Sequence, residues 1–116
     1  MNLRAEKCFP CSAKTPHLTL ADAKKYLKEI DNWQIVEDKE KNRLKLVKRF
    51  RFKKYLDGIK FVEKVANISE EQGHHPDLYV GWCRVTVNFT THISGGLTIN
   101  DFIMAAKVDI IDLSDA

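Results

Sequence analysis

The feature that most constrains the fold is a helical pattern over residues 53–72 that ends abruptly. Apolar and small side chains recur there at helical spacing, and no proline interrupts them. Gly73 follows at the position where a left-handed residue ends many helices, and Pro76 disfavours the α region for His75. The chain therefore builds around one long central helix, and a loop that contains two adjacent histidines leaves its carboxyl end.

Strand patterns lie on both sides of this helix. Trp33–Glu37 and Leu44–Phe52 have the composition of two strands joined by a charged turn, which predicts a hairpin. A third alternating segment, Trp82–His92, carries on one face the apolar residues Cys83, Val85, Val87 and Phe89. This parity places His92 at the strand end on the polar face. A further short strand near Leu97 is an open alternative.

Two more helices begin at capping boxes, in which an N-cap threonine and an acid three residues later satisfy backbone N–H groups. Thr19 and Asp22 open the first helix, and Thr98 and Asp101 open the last. The element order is then αββαβα. Helices that share one apolar side favour an antiparallel sheet covered on one face, so we predict an α+β fold of this kind. The other face is free for a site or a subunit contact.

The length fits one compact domain, because a chain of 116 residues buries enough surface for a core without disulfides. Residues 18–116 are assigned to this domain. Residues 1–17 are assigned to an extended or loosely ordered N-terminal arm, which carries Pro10 and Pro16. The apolar cluster around Phe9 is too short for a membrane span or a signal peptide. Three cysteines, an odd count, indicate reduced thiols in a cytoplasmic protein.

The net charge of +3 does not indicate a nucleic-acid partner, because 19 basic residues are spread among 16 acidic ones. Residues 43–54 form a local basic run, in which the charged side chains alternate with Leu44, Leu46, Phe50 and Phe52. Such alternation is typical of a strand with one solvated face. We therefore interpret the run as the outer face of a strand and expect no direct binding of nucleic acid.

His74 and His75 are candidate catalytic residues because they lie outside the core pattern, directly after the central helix. The carbonyl end of a helix favours imidazolium, and Glu70 lies within one turn, so a histidine here can titrate near neutral pH. Alone, such a pair is more often a solvated loop. His92 strengthens the prediction, because a strand end beside a glycine turn can reach the same edge of the sheet. Three histidines in two loops predict an acid–base site.

Asp101 has two roles open to it: capping acid of the last helix, and a carboxylate that orients a neighbouring histidine through one ring nitrogen. A metal site is the rival interpretation of the cluster. However, Cys8-x-x-Cys11 supplies only half of a zinc pattern, and no second cysteine pair follows it. Packing on the apolar strand face accounts for Cys83. We therefore expect no bound metal, and we assign the two arm cysteines no function.

Together these fixed points resemble a family signature. The pterin-4a-carbinolamine dehydratases carry a signature that is similar to the series Glu70-x3-His74-His75-Pro76-x5-Trp82-x9-His92-x8-Asp101. The likeness runs from about Thr19 to Ile111. It implies a four-stranded antiparallel sheet with helices packed on one face, assembled into homo-oligomers, either dimers or tetramers.

The resemblance also implies the reaction. A 4a-hydroxytetrahydropterin loses water to give quinonoid dihydropterin, in the recycling of tetrahydrobiopterin, without a metal or an organic cofactor. Elimination across C4a and N5 needs two proton transfers, which imidazoles make near neutral pH. By match to the family, His74 and His92 exchange protons with the substrate and His75 holds the pterin. Asp101 orients a neighbouring histidine. The implied catalytic set is therefore His74, His75, His92 and Asp101. The implied pterin-binding set is Glu70, Gly73, Trp82, Thr90 and Thr91.

A second function also follows from the resemblance. Family members in animals act as dimerisation cofactors of a homeodomain transcription factor, so an oligomeric binding module is the alternative to an enzyme. That hypothesis predicts that the surface of the oligomer, rather than His74 or His92, decides function. The enzyme is expected in the cytoplasm, and the binding module is compatible with a nuclear location.

Overall fold

The structure, a computed structural model, describes residues 2–113. Two short 3₁₀ helices, Leu3–Ala5 and His92–Ser94, accompany the longer elements. In chain order these are α1 Leu20–Leu27, β1 Gln34–Asp38, β2 Arg43–Arg51, α2 Tyr55–Gln72, β3 Asp77–Gly81, β4 Arg84–Phe89 and α3 Ile99–Asp109. No helix of the described part of the chain is long and apolar enough to cross a membrane.

Within the described residues, the strands form one four-stranded antiparallel sheet in the order β1-β2-β4-β3. On one face of the central strands four side chains are fully buried, those of Leu46, Val85, Val87 and Phe89. These side chains share a core with residues of α2 and α3, namely Phe61, Val65, Phe102, Ile103, Met104 and Val108. The helices therefore cover one face of the sheet, and the predicted α+β fold is confirmed.

The helix boundaries agree with the capping signals. Thr19 Oγ1 accepts the backbone N–H of Asp22 at 3.2 Å, and α3 begins with the complete capping box of Thr98 and Asp101. Gly73 ends α2 with φ 67° and ψ 29°, in the left-handed region that glycine enters without steric cost. These boundaries place the histidine loop directly after α2 and Asp101 in the first turn of α3.

One strand, β3, was not predicted from the sequence pattern. β3 pairs with β4 along its whole length, directly after Pro76. The alternative strand near Leu97 is wrong, because an isolated bridge between Thr91 and Gly96 occurs there instead. Five residues after a proline are too few for a clear alternation. This segment forms a strand because it pairs with β4, and such pairing cannot be predicted from local composition.

The predicted strand Trp82–His92 is too long at both ends. Trp82 and Cys83 form the two-residue turn of the β3–β4 hairpin, and His92 lies in a 3₁₀ helix beyond the end of β4. Cys83 has φ 55°, a left-handed value that a non-glycine residue adopts mainly in tight turns. Its predicted place on the apolar strand face is therefore wrong.

The basic run differs from its prediction at Lys48, which points to the helical side of the sheet. Its ammonium lies 2.7 Å from Asp109 Oδ1 and 2.9 Å from the carbonyl oxygen of Asp31. The Trp33 indole N–H donates to the same carboxylate at 3.0 Å, and Lys48 Nζ lies over the Phe50 ring. The side chains of Lys48 and Asp109 are each 15% exposed. The solvated-face interpretation is therefore wrong for this lysine.

Asp109→Ala should lower the free energy of unfolding by about 1–3 kcal/mol, because the Trp33 N–H and the Lys48 ammonium would lose a largely buried acceptor. Glu63→Ala is the matched control, since Glu63 is exposed on α2, and it should change stability by less than about 0.5 kcal/mol. Urea unfolding followed by circular dichroism measures both variants. Equal stabilities would contradict a stabilising role for the Asp109 cluster.

The N-terminal arm is irregular but packed against the domain. Leu3 is 3% exposed and belongs to the hydrophobic core. The Lys107 ammonium of α3 donates to the Arg4 carbonyl oxygen at 3.0 Å. These contacts attach the arm to the domain at its first residues, where Leu3–Ala5 forms a 3₁₀ helix.

Candidate active site

His74 lies at the end of α2, where Gly73 turns the chain. Its backbone N–H donates to the Ser69 carbonyl oxygen at 3.1 Å, which closes the helix end. The imidazole packs nearly parallel to the Phe89 ring of β4, with ring centroids 6.2 Å apart and an interplanar angle of 13°. The side chain is 11% exposed. The ring is therefore held between the helix end and the sheet.

The carboxylate of Asp101 fixes the His74 ring. His74 Nε2 and Asp101 Oδ1 are 2.7 Å apart. The other carboxylate oxygen, Oδ2, accepts the Thr98 backbone N–H and the Thr91 hydroxyl, each at 2.9 Å. Asp101 is fully buried, and a carboxyl group in such a place needs partners for both of its oxygens. The geometry accommodates both roles predicted for Asp101.

His75 lies in a more open environment. Its Nε2 is 2.5 Å from Oε2 of Glu70, which belongs to the last turn of α2. Both side chains are more than half exposed, so this contact contributes little to stability. The pair forms a polar edge beside the buried His74–Asp101 pair, and it is able to hydrogen-bond a bound molecule.

A cavity of about 440 Å³ opens at this edge of the sheet. Its volume is in the range of small-molecule sites. It brings together most of the predicted site residues, namely Gly73, His74, His75, Thr90, Thr91 and His92. The prediction that the histidines of the two loops meet at one edge of the sheet agrees with this arrangement.

The cavity residues of the second loop differ in their hydrogen bonds. Thr90 Oγ1 donates to the Leu44 carbonyl oxygen at 2.9 Å, whereas the Thr91 hydroxyl donates to Asp101. His92 is the first residue of its 3₁₀ helix and is exposed. His92 therefore lines the cavity from a different element than His74, and at an exposed position.

Trp82 does not join this cluster. It lies in the β3–β4 turn, at the opposite end of β3 from His75, and is 77% exposed. Five strand residues span about 17 Å, so its ring does not wall the cavity of its own chain. Glu70 and Asp101 do not line the cavity either, and they contact the site through His75 and His74.

One wall of the cavity was not predicted from the sequence. It consists of arm residues 8–11, with Gln72 and Asn100 behind them. The Asn100 side chain is buried and hydrogen-bonds the Phe9 backbone. The available signal was an asparagine inside the first turn of α3, where its helix propensity is low and a buried amide needs a partner.

The three cysteines are free thiols, as predicted. Burial raises the pKa of the Cys8 thiol from 9.0 to about 11, while the nearby Lys107 ammonium opposes the shift. Cys8 Sγ lies 3.8 Å from the Asn100 carbonyl oxygen. Cys8 is therefore a neutral thiol at physiological pH.

Within residues 2–113, no group of three or more histidine, cysteine, aspartate or glutamate side chains is arranged to hold a metal ion.

The raised pKa of Cys8 predicts slow alkylation. In a Cys11→Ser, Cys83→Ser background, iodoacetamide should modify Cys8 at pH 8 about tenfold more slowly in the folded protein than in guanidinium. The thiolate is scarcer in the folded state, and its higher intrinsic nucleophilicity offsets only part of that loss. The rate should rise as the pH approaches 11. Equal rates for the folded and unfolded protein at pH 8 would contradict a half-buried, protonated thiol.

Fold and site define a class of protein: a small α+β domain with a histidine–aspartate pair at a cavity that two further histidines, His75 and His92, also line. Residues 16–111 match the family model described as pterin 4 alpha carbinolamine dehydratase. The chain belongs to this family, which confirms the resemblance found in the histidine series.

Individual relatives agree. The chain is 40% identical over 116 residues to pterin-4-alpha-carbinolamine dehydratase 2, mitochondrial, of Arabidopsis thaliana, covering 98% of this chain but 61% of that protein's length. A transcriptional coactivator/pterin dehydratase from Brucella melitensis superposes with a TM-score of 0.72 and 30% identity, covering 80% of this chain and 95% of that one. A pterin dehydratase-like protein identified as a RuBisCO assembly factor in the alpha-carboxysome has a TM-score of 0.56 and 28% identity, covering 67% of this chain and 86% of that one.

Proposed function

We propose that this protein dehydrates a 4a-hydroxytetrahydropterin to quinonoid dihydropterin and water by histidine acid–base catalysis. The observation that carries the proposal is the 2.7 Å contact between His74 Nε2 and the buried Asp101, at a cavity that His92 also lines. Elimination across C4a and N5 requires one group to remove the N5 proton and another to protonate the departing hydroxyl. Two imidazoles on separate elements supply both groups.

We assign His74 as the base. Asp101 Oδ2 already accepts hydrogen bonds from Thr98 and Thr91, so the carboxylate acts as an acceptor toward its neighbours. Its Oδ1 then receives the Nε2–H of His74, which leaves Nδ1 with a free lone pair. That nitrogen takes the N5 proton, and the adjacent carboxylate stabilises the imidazolium that forms. Asp101 is a positioning residue in this scheme.

We assign His92 as the acid that protonates the 4a-hydroxyl as it leaves. Its exposed position allows it to recover a proton from solvent after each turnover. His75, supported by Glu70, holds the pterin, and the backbone of Gly73 with Thr90 and Thr91 lines its pocket. The proposed reaction uses these groups without a metal or an organic cofactor and serves tetrahydrobiopterin recycling.

The direct test follows quinonoid dihydropterin by absorbance after fresh 4a-hydroxytetrahydropterin is generated, with EDTA present. We expect the protein to accelerate its formation in proportion to protein concentration. An equal mass of an unrelated protein controls for general buffer catalysis by histidines. A rate equal to this control would contradict the proposed function.

We also propose that the protein forms homo-oligomers in the cytoplasm. The edge strand β3 and its turn carry exposed apolar side chains, Tyr79, Val80 and Trp82, and apolar residues on an exposed sheet edge favour association. A coactivator and an assembly factor are what the two structural relatives are named as. The histidine–aspartate pair favours the enzyme over a binding module, because a docking surface does not require it.

A further inference from the structure

We propose that arm residues 8–11 form a wall of the pterin site and that Phe9 sets the affinity for the flat ring, with Asn100 as the residue that positions it. This inference rests on the proposed function and assigns a role to a segment that precedes the part matched by the family model, residues 16–111. It concerns binding of the ring rather than proton transfer.

The first observation is a two-sided clamp on Phe9. Asn100 Oδ1 accepts the Phe9 backbone N–H at 3.1 Å, and Asn100 Nδ2 donates to the Phe9 carbonyl oxygen at 2.7 Å. One buried amide therefore satisfies both backbone groups of Phe9, as a neighbouring strand would. The same Nδ2 lies 3.3 Å from Cys11 Sγ. The backbone around Phe9 is thereby fixed on α3.

The second observation is that the arm is tied to both elements that hold the proposed base. The Cys8 backbone N–H donates to Gln72 Oε1 at 2.9 Å, and Gln72 is the last residue of α2, two positions before His74. Asn100 directly precedes Asp101 in α3. Two separate contacts, to Gln72 of α2 and to Asn100 of α3, therefore fix the position of the arm relative to the His74–Asp101 pair.

The third observation is the exposure of the Phe9 side chain. On the same arm Leu3 is buried in the core, whereas Phe9 is 43% exposed and lines the cavity. A large aromatic side chain on a clamped backbone is left half-covered by its own chain. A flat heteroaromatic ring can stack on it and remove that surface from water. The neighbours Cys8 and Pro10 are uncharged, so the lining next to Phe9 carries no charge, and three histidines line the same cavity.

Steady-state kinetics with the full chain tests the inference. Phe9→Ala should raise KM for 4a-hydroxytetrahydropterin about tenfold, which is about 1.4 kcal/mol of binding free energy, and should change kcat less than about twofold. Phe9→Tyr keeps an aromatic face and should restore KM. Tyr55→Ala is the matched control, because Tyr55 is 46% exposed on α2 and lies outside the cavity lining. It should leave both constants unchanged.

Asn100→Leu separates positioning from general destabilisation. It should raise KM as Phe9→Ala does, and the Phe9→Ala, Asn100→Leu double variant should bind no more weakly than either single variant, because both changes remove the same contact. Additive losses in these variants would overturn the positioning role. If Asn100→Leu does not fold, as judged by circular dichroism, Asn100→Ala replaces it, with the same expected result and the same contradicting result.

Binding of biopterin, followed by its fluorescence, provides a readout without turnover. Phe9→Ala should weaken biopterin binding about tenfold, and Phe9→Tyr should not. An active protein whose Phe9→Ala variant keeps its KM and its biopterin affinity would overturn this inference and leave the proposed function intact. A protein that accelerates no dehydration would overturn the proposed function, and the arm would then be judged by biopterin binding, where an unchanged affinity rejects it.

Discussion

His74→Ala is expected to lower the rate of catalysed dehydration about a hundredfold or more, the usual size of a general acid–base contribution. The substitution removes the nitrogen assigned to accept the N5 proton and leaves the Asp101 carboxylate without its imidazole partner. His92→Ala should have an effect of similar size, because it removes the proposed proton donor. Initial rates at saturating substrate measure both losses.

His75→Ala is the internal comparison for these variants. His75 is adjacent in sequence but contacts Glu70 rather than Asp101, so its loss should raise KM more than it lowers kcat. Circular dichroism must show that each variant is folded, since His74 contacts the core residue Phe89. A folded His74→Ala variant with the same kcat as the parent would contradict the assignment of His74 as the base.

Asp101→Asn is expected to lower kcat about a hundredfold while it lowers the free energy of unfolding by only about 1 kcal/mol. The Thr98 backbone N–H requires an acceptor, so the asparagine oxygen should face Thr98 and its amide NH₂ should face His74. His74 Nε2 must then accept a hydrogen bond, and the proton moves to Nδ1. The base loses its free lone pair although its position is kept.

Nitrogen-15 NMR of the histidine rings separates this effect from a loss of structure. The parent protein should show a protonated Nε2 in His74, and Asp101→Asn should show a protonated Nδ1. Asp22→Asn is the matched control, because Asp22 occupies the equivalent position in the first turn of α1, away from the cavity. It should cost a few tenths of a kcal/mol and no activity. An unchanged kcat in Asp101→Asn would leave Asp101 as a helix cap alone.

Much of the fold was predictable because its boundaries depend on local chemistry. The threonine–aspartate caps, the left-handed glycine after α2 and the apolar alternation in β2 and β4 each act within a few residues. β3 and its turn were not predictable in this way. Asp77–Gly81 becomes a strand by pairing with β4, and Cys83 is left-handed because a two-residue hairpin requires it. Lys48 points to the helical side of the sheet because its ammonium binds the Asp109 carboxylate of α3, which is 61 positions away in the chain.

The candidate site divides in the same manner. His74 and Asp101 were each predictable because each stands at a helix end that the sequence marks, but the sequence did not indicate which histidine Asp101 contacts. His92 was predictable from its place at a strand end beside a glycine turn, and the resemblance added its role in proton exchange. The wall formed by the arm depends on Asn100, whose partner is 91 positions away, and no periodicity reports such a contact. Trp82 was wrongly expected at the cavity, because a missed strand separates it from the histidine loop.

The most direct test of histidine acid–base catalysis is the dehydration rate of a folded His74→Ala, His92→Ala double variant in metal-free buffer, compared with the parent protein. Proton transfers that act as a unit are not additive, so the double variant should lose less than the product of the two single losses and should approach the uncatalysed rate. Full parental activity in the folded double variant would contradict the account.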